Sequence, residues 1–213
     1  MNPVDQWHYE TLGKAACEAL KKNGFDAVYV ATGAEALERV AALIKPGMKV
    51  GFGGSMTVKA IGVDAKAKEL GAVILDHNAP GLDADRKMEI LRAQLTCDLF
   101  ISGSNAVTLD GDLVNVDRNG NRVGALSFGP RKTVVVAGAN KVVRDIDEAL
   151  ARIETTASPK NNKRLGMPNP CVKTGTCEDC RGEARICRIY QILRRKPGMS
   201  DFTVIVVGES LGF

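Results

Sequence analysis

Aromatic residues are scarce in this sequence, and their scarcity argues against one class of function. Phe, Trp and Tyr make up 5% of the 213 residues, with a single Trp. Proteins that hold single strands of nucleic acid stack the bases on aromatic side chains set among basic ones. The formal net charge is only +4, from 29 basic and 25 acidic residues. We therefore expect no nucleic acid partner, because both the stacking platforms and a strong basic excess are lacking.

Long hydrophobic runs and a leader pattern are also missing. The apolar stretches have the length of β-strands, so no membrane-spanning helix is predicted. The first residues, Met1 to Asp5, hold no basic segment leading into an apolar run, so no signal peptide is predicted. Six cysteines in such a chain do not indicate a disulfide framework. We expect a cytoplasmic protein that does not bind membranes.

The sequence does contain a regular alternation of amphipathic helical segments and strand-length apolar segments. Helices are predicted at residues 5–23, 34–44, 56–70 with an interruption at Gly62, 83–95 and 145–156. Strands are predicted at residues 25–31, 49–52, 72–76, 99–102, 133–137 and 202–207. This alternation predicts a Rossmann-like α/β fold, with a mostly parallel sheet and helices on both of its faces.

Three other segments complete the predicted organisation. Residues 113–116 and 122–125 are predicted to pair as a short β-hairpin around Asn119-Gly120, a dipeptide typical of hairpin turns. Residues 186–193 are predicted to be helical. Residues 158–187 are rich in Pro, Gly, Asn, Lys and Cys, and we interpret them as a Cys-rich loop inserted into a single domain spanning residues 1–213.

A glycine-rich turn follows the strand at residues 49–52 and leads into a helix. Glycines let the backbone approach a ligand closely, and N–H groups and hydroxyls at a helix start favour an anion. Ligands of open α/β sheets bind at such carboxyl ends of strands. The predicted ligand-binding residues here are Gly51, Gly53, Gly54, Ser55 and Thr57. The alternative is a tight turn capped by Ser55. Met56 replaces the third glycine of a dinucleotide fingerprint, so we infer no NAD site.

Polar side chains follow two other predicted strands and provide further candidates. Asn105 and Thr108 are predicted to line the pocket, and Asp110 beside them is a candidate catalytic residue. His77 follows another strand, as a candidate general base or a group that orients a carboxylate. Arg86, on the next helix, is predicted to pair with a carboxylate or phosphate. A structural histidine and a solvated surface arginine are the alternatives.

Four cysteines are concentrated in one short segment. Cys171, Cys177, Cys180 and Cys187 include a Cys-x-x-Cys pair, and four thiolates are suited to zinc or a [4Fe–4S] cluster. The spacing differs from that of bacterial ferredoxins, so it does not decide between these cofactors. Disulfides or reduced thiols are the alternatives. The isolated Cys17 and Cys97 are expected in the hydrophobic core.

Seven segments of the sequence form an ordered succession of motifs. Residues 51–57, 104–111, 120–123, 128–130 and 138–141 together resemble the LUD-domain family, the lactate utilization proteins of bacteria. Residues 166–187 and 208–213 resemble a stand-alone branch of that family. The resemblance covers nearly the whole chain. It implies a fold like that of ribose-5-phosphate isomerase and the CoA transferases, and a role in oxidation of L-lactate to pyruvate beside iron–sulfur proteins. The chain departs from many LUD proteins in carrying the cysteine segment.

Three functions are consistent with these features. The first is a redox or accessory component of lactate utilization that holds a metal or cluster. The second is an isomerase- or transferase-like enzyme that binds a phosphorylated or CoA-linked small molecule at Gly51 to Ser55. The third is a regulatory protein that binds a metabolite without turnover, so whether the chain is an enzyme stays open. The expected partners are a small anionic metabolite, iron–sulfur redox proteins and a second copy of the chain.

Overall fold

A computed structural model describes residues 1–213, which form nine α-helices and ten β-strands. The helices are α1 (Pro3–Lys22), α2 (Gly33–Ala41), α3 (Met56–Ala60), α4 (Val63–Glu69), α5 (Ala84–Gln94), α6 (Asn121–Ser127), α7 (Ile146–Arg152), α8 (Ser158–Arg164) and α9 (Cys171–Thr174). The strands are β1 (Asp26–Val30), β2 (Lys49–Phe52), β3 (Val73–Leu75), β4 (Leu99–Ser102), β5 (Ala106–Thr108), β6 (Leu113–Asp117), β7 (Lys132–Gly138), β8 (Val142–Val143), β9 (Ile189–Leu193) and β10 (Asp201–Val207).

Six strands form a large, entirely parallel sheet. Their order is β1-β10-β7-β4-β2-β3, so β10 lies between β1 and β7 although it comes last in the chain. The predicted Rossmann-like α/β fold is confirmed. All six predicted strands of this sheet are present, because each is a short β-branched or aromatic run bounded by turn residues.

The two faces of the large sheet are covered by different helices. Val135 and Val204 point into a cluster with Ala16 and Leu20 of α1. Their neighbours along the strands belong to the opposite cluster, which includes Ala36 and Val40 of α2. Strands buried on both faces have continuous apolar sequences, which explains the run of valines in β7. Side chains that alternate along these strands therefore contribute to one hydrophobic core on each face of the sheet.

Four strands form a second, smaller sheet, in the order β8-β5-β6-β9. The hairpin predicted between residues 113–116 and 122–125 is wrong, because β6 pairs antiparallel with β5 and residues 121–127 are helix α6. Gly120 does adopt a left-handed conformation, but this residue precedes the helix instead of closing a hairpin. Val123, Ala125 and Leu126 are buried on α6. The hairpin that the structure does contain is formed by β5 and β6, with its turn at residues 109–112.

The prediction of a helix at residues 186–193 is also wrong, because β9 occupies residues 189–193 and pairs antiparallel with β6. Gln191 lies opposite Asn115 in this pairing, and its amide donates to the Val123 carbonyl of α6 at 2.6 Å. The strand lies at the edge of its sheet, where Ile189, Tyr190 and Ile192 are exposed. Apolar residues at positions 189, 192 and 193 match a helical repeat as well as an edge strand.

The Cys-rich segment begins within a helical path. Helix α7 continues through a π-helical turn, Ile153–Ala157, directly into α8. Only the short α9 interrupts the irregular chain between α8 and β9. In the whole chain, no helix has the length and apolar character needed to cross a membrane.

Candidate functional site

A cavity of about 370 Å³ opens beside the carboxyl ends of β2 and β4. Its walls come from both sheets and from the Cys-rich segment, so it lies where the main parts of the molecule meet. Its lining includes Gly53, Gly54, Ser55, His77, Ser102, Gly103, Ser104, Asn105, Arg118, Asn121, Arg122, Lys141, Ser158, Asn161, Arg164, Cys187 and Phe213. The position agrees with the general location of ligand sites in open parallel sheets.

The glycine-rich turn forms one wall of this cavity. A Cβ atom on Gly53 would lie 2.9 Å from Ser102 Cβ and 3.0 Å from Arg122 Cδ, so only glycine fits there. Ser55 lines the cavity and also caps α3, its hydroxyl accepting from the Val58 N–H at 3.3 Å. Helix α3 has only five residues, so its dipole contributes little here. The dipole of this helix is therefore not the main source of any preference for anions.

Two of the predicted glycine-turn residues lie behind the cavity wall. Gly51 is buried within β2, and a Cβ there would lie 3.1 Å from Phe100. Thr57 is fully buried, and its hydroxyl donates to the Leu211 carbonyl at 2.9 Å. The same hydroxyl oxygen accepts a hydrogen bond from Lys141 Nζ at 2.8 Å. Thr57 thus supports a lysine that does line the cavity.

Lys141 is the most unusual residue of the site. It ends a 3₁₀ turn that follows β7, lines the cavity, and is only 4% exposed. No carboxylate lies within ion-pair distance of its Nζ. Burial, with Arg152 and Arg122 nearby, lowers the pKa of Lys141 to about 7. A substantial fraction of this side chain is therefore a neutral amine at neutral pH.

Arg122 holds together the wall contributed by the small sheet. Its guanidinium donates to Asn115 Oδ1 at 2.7 Å, to Asn105 Oδ1 at 3.0 Å and to the Val116 carbonyl at 2.6 Å. Its Nε lies 3.4 Å from Asp117 Oδ1. Burial lowers the pKa of Arg122, and Asp117 partly opposes that effect. The predicted ligand residue Asn105 thus lines the cavity with its amide oxygen already engaged.

The charges around the cavity are strongly biased. Five basic side chains line it, and one of them, Lys141, is only partly protonated at neutral pH: Lys87, Arg118, Arg122, Lys141 and Arg164. Asp117 is the single acidic side chain among the lining residues, and it is already paired with Arg122. A concave site with this imbalance attracts anions, and the partly buried members are screened least by salt.

His77 lies at the rim of the cavity. Its Nδ1 is 3.0 Å from Gln94 Nε2, and its Nε2 is 3.2 Å from Asn78 Nδ2. Burial and the nearby Lys87 lower the pKa of His77, so the ring is neutral at neutral pH. Its candidate roles as base or orienting group remain predictions.

Three other predicted residues lie outside the cavity lining. Arg86 is exposed on α5 and pairs with Glu89 at 2.6 Å, on its own helix. Thr108 is buried in β5, where its hydroxyl accepts from the Asp112 N–H at 2.9 Å. Asp110 lies in the turn between β5 and β6, and its carbonyl accepts from Asn23 at 2.8 Å. Local turn geometry accounts for the positions of Thr108 and Asp110.

The four clustered cysteines line one small cavity of about 10 Å³. None of them forms a disulfide. Arg185 connects two parts of the segment, donating to the Cys180 and Cys187 carbonyls at 2.7 Å each. Four thiols at one place fit zinc or an iron–sulfur cluster in ligand type and number. Nowhere do three His, Cys, Asp or Glu side chains meet in a metal-holding arrangement, so binding an ion requires the thiols to move together.

The small cavity lined by the four cysteines adjoins the cavity of about 370 Å³, which we call the basic cavity because of its cationic lining. Ser158, Ile186 and Cys187 line both of them. The Cys187 thiol donates to Ser158 Oγ at 3.2 Å, and burial raises the pKa of this thiol. Because Cys187 belongs to both linings, a movement of the cysteines would also move part of the wall of the basic cavity.

The residues that sequence reasoning missed are Lys141, Arg122 and Arg152. Arg152 donates to the Asn105 carbonyl at 2.6 Å and to the Asn140 carbonyl at 3.2 Å. One signal was available for Lys141, since it interrupts an apolar segment directly after a buried strand end. Arg122 and Lys141 also lie within the family motifs at residues 120–123 and 138–141, although no role was assigned to either residue from them. No signal marks Arg152, because its burial depends on packing between distant parts of the chain.

Comparisons with known proteins agree with this architecture. A family model for the LUD domain matches residues 14–207. A crystal structure of a DUF162 family protein from Deinococcus radiodurans is similar, with a TM-score of 0.53 and 15% identity over 93% of this chain and 98% of that one. At this identity the likeness supports the fold alone. No curated protein matches the chain. The chain belongs to the LUD-domain family, which is associated in general with lactate utilization.

Proposed function

We propose that this protein binds a small anionic metabolite in the basic cavity between Gly53 and Lys141. The observation that carries this proposal is the charge of the lining, with five basic side chains, of which Lys141 is only partly protonated, and one acidic side chain that is already paired. Electrostatic complementarity of this kind favours negatively charged ligands. The family association makes a hydroxy- or oxo-carboxylate, such as lactate or pyruvate, the first ligand to test.

The size of the cavity supports a second candidate ligand class. A volume of about 370 Å³ lies within the usual range for small-molecule sites and leaves room beyond a three-carbon acid. A phosphate monoester or the phosphate-bearing part of CoA therefore also fits the proposal. Such a ligand would favour the isomerase- or transferase-like function.

Thermal-shift measurements distinguish these classes. We expect L-lactate and pyruvate to raise the melting temperature, since a ligand of the native state adds about 2.7 kcal/mol at a hundredfold excess over its Kd. Stabilisation by dihydroxyacetone phosphate or CoA, with none by the two acids, would favour the second class. No stabilisation by any of the four would contradict a functional anion site.

A pair of variants shows whether the stabilisation arises in the basic cavity. Lys141→Met removes a buried and partly protonated amine of the lining, and we expect it to reduce the shift. Lys14→Met is the matched control, because Lys14 is an exposed helix residue paired with Glu10. Equal shifts in both variants would place the binding elsewhere. Turnover assays with the stabilising compounds then separate an enzyme from a metabolite-binding regulator.

The cluster of cysteines supports a further part of the proposal, an accessory role beside iron–sulfur redox proteins. Cys171, Cys177, Cys180 and Cys187 would hold zinc or a [4Fe–4S] cluster, and the latter would supply single-electron transfer when bound. The supporting observation is that all four thiols line one cavity next to the basic one. Lactate oxidation releases two electrons, so partner proteins must accept them.

Metal analysis tests this part independently. We expect protein purified without oxygen to contain zinc, or iron with sulfide, in proportion to the chain. The double variant Cys177→Ser/Cys180→Ser should lose the metal, whereas Cys17→Ala, at a core cysteine outside the segment, should retain it. Protein that holds neither metal after reconstitution would contradict the assignment without affecting the anion proposal.

A further inference from the structure

We infer that Lys141 Nζ is a nucleophile that forms an imine with the carbonyl carbon of an anion bound in the basic cavity. The ligand class is a small anion that carries an aldehyde or ketone, such as a 2-oxo acid. This inference rests on the proposed anion site and adds a covalent step to it. Binding of an anion requires no aldehyde or ketone group, so the anion site and the imine can be tested separately.

The position of Lys141 suits a nucleophile. The residue lines the cavity and is only 4% exposed, so a molecule bound there can contact it while little of its side chain is in contact with bulk solvent. Its side chain is anchored by one hydrogen bond, from Nζ to Thr57 Oγ1 at 2.8 Å. The Thr57 hydroxyl donates its own proton to the Leu211 carbonyl, so its oxygen can only accept from Nζ. A neutral amine held in this way keeps its lone pair and a second N–H free.

The charges that face Lys141 favour the neutral amine. Arg152 and Arg122 are the charged groups that act on it, and both are cationic. Together with burial they lower the pKa of Lys141 to about 7, the range in which amine nucleophiles operate. No carboxylate is close enough to hold the side chain as an ammonium ion. An exposed lysine, by contrast, is almost entirely protonated at this pH.

The chemical step is balanced and needs no oxidant or reductant. The Nζ lone pair attacks the carbonyl carbon, and a carbon–nitrogen bond forms as the carbonyl π bond opens. Two protons of the amine pass to the oxygen, which leaves as water, and the carbon–nitrogen double bond remains. The step is reversible, so hydrolysis releases the ligand and restores the amine. Other cationic lining residues, Arg118 and Arg164 among them, remain for the anionic group.

Reductive trapping tests the inference. The protein is incubated at neutral pH with pyruvate and cyanoborohydride, which converts an imine into a stable secondary amine. Intact mass and peptide mapping then locate the adduct. We expect one adduct, on the peptide that contains Lys141, formed at least about tenfold faster than on any exposed lysine. The neutral fraction of Lys141 at pH 7 is larger by about three orders of magnitude, and the lower nucleophilicity of a less basic amine offsets part of this difference. Dihydroxyacetone phosphate replaces pyruvate in a second arm, which separates carboxylate from phosphate ligands.

Controls separate failure of this inference from failure of the proposed function. L-lactate has the charge of pyruvate but a hydroxyl group in place of the ketone, so it should stabilise the protein and give no adduct. Lys141→Arg should lose the adduct, and Lys14→Arg should keep it. Stabilisation by pyruvate or dihydroxyacetone phosphate, with adducts spread over exposed lysines, would overturn the imine and leave the anion site intact. Absence of both stabilisation and adduct with all of these compounds would overturn both.

Discussion

At the scale of single residues, Lys141 has an energetic cost that depends on pH. Its pKa is about 7 in the folded protein and 10.5 ordinarily. Between these values the unfolded chain holds a proton that the folded chain has lost, so the free energy of unfolding rises with pH. Below the folded pKa both states are protonated and this contribution is constant.

We predict that wild type gains stability over Lys141→Met as the pH rises from 7 towards 10. The limiting slope is about 1.4 kcal/mol per pH unit for one group. Urea unfolding at several pH values measures the difference. The exposed variant Lys14→Met serves as the control for a lost lysine charge. Parallel profiles for wild type and Lys141→Met would contradict the lowered pKa.

Gly53 provides a second prediction, because a side chain at this position would collide with Ser102 and Arg122 in the cavity wall. Gly53→Ala should cost about 1–3 kcal/mol, the usual effect of overpacking, and should weaken anion binding. Gly54→Ala is the neighbouring control. It adds a Cβ with no atom within 4 Å and strains only the backbone, at a φ of 70°. Wild-type anion affinity in Gly53→Ala would show that the turn does not shape the site.

At the scale of elements, the β5–β6 turn joins the small sheet to α1. A Cβ on Gly111 would lie 2.6 Å from the Ala19 carbonyl carbon, and Gly111 has a φ of 83°. Asn23, which caps α1, donates to the Gly111 carbonyl at 3.1 Å. The turn that contains Asp110 therefore packs on a helix, and neither Thr108 nor Asp110 lines the basic cavity.

We predict that Gly111→Ala destabilises the protein by more than backbone strain alone, by about 2 kcal/mol or more. Gly47→Ala is the matched control, because Gly47 has a similar φ of 75° and a Cβ added there would have no atom within 4 Å. The difference between their free energies of urea unfolding isolates the close contact with α1. Equal losses in the two variants would contradict the importance of this contact.

The elements differ in how far their sequences determine them. The strands of the large sheet were predictable, because burial on both faces demands continuous apolar runs. The small sheet was not, since β8 has two residues and β5 has three, too few for a pattern. In β9, the spacing of Ile189, Ile192 and Leu193 fits a helix equally well. Only pairing with β6 decides between the two, and pairing is a tertiary contact.

At the scale of the whole molecule, the two adjoining cavities should respond together. Cys187 and Ser158 line both, so removal of the metal proposed for the cysteines should loosen one wall of the basic cavity. We predict that a chelator lowers the melting temperature and also weakens stabilisation by the anion. Treatment of Cys177→Ser/Cys180→Ser controls for effects of the chelator itself. A lower melting temperature with unchanged anion affinity would contradict this coupling.

The site as a whole was only partly predictable. Gly53, Gly54, Ser55 and Asn105 line the cavity because local sequence places them at strand ends, where a parallel sheet binds ligands. The basic residues that give the cavity its charge could not be predicted in this way. Arg122 lies in the first turn of α6 and Lys141 ends a 3₁₀ turn. Their burial follows from long-range contacts, of Arg122 with Asn105 and of Lys141 with Thr57, which is itself bonded to Leu211. Such contacts exist only after folding.

The place of β10 in the large sheet has a consequence for biosynthesis. Residues 201–207 pair with β1 on one side and with β7 on the other. The ribosome therefore delivers both neighbours long before the strand that joins them. Until then β1 and β7 present unpaired edges, which are sites for association with other chains. Completion of this sheet thus has to follow translation of β10, and chaperones are expected to protect the nascent chain until that point.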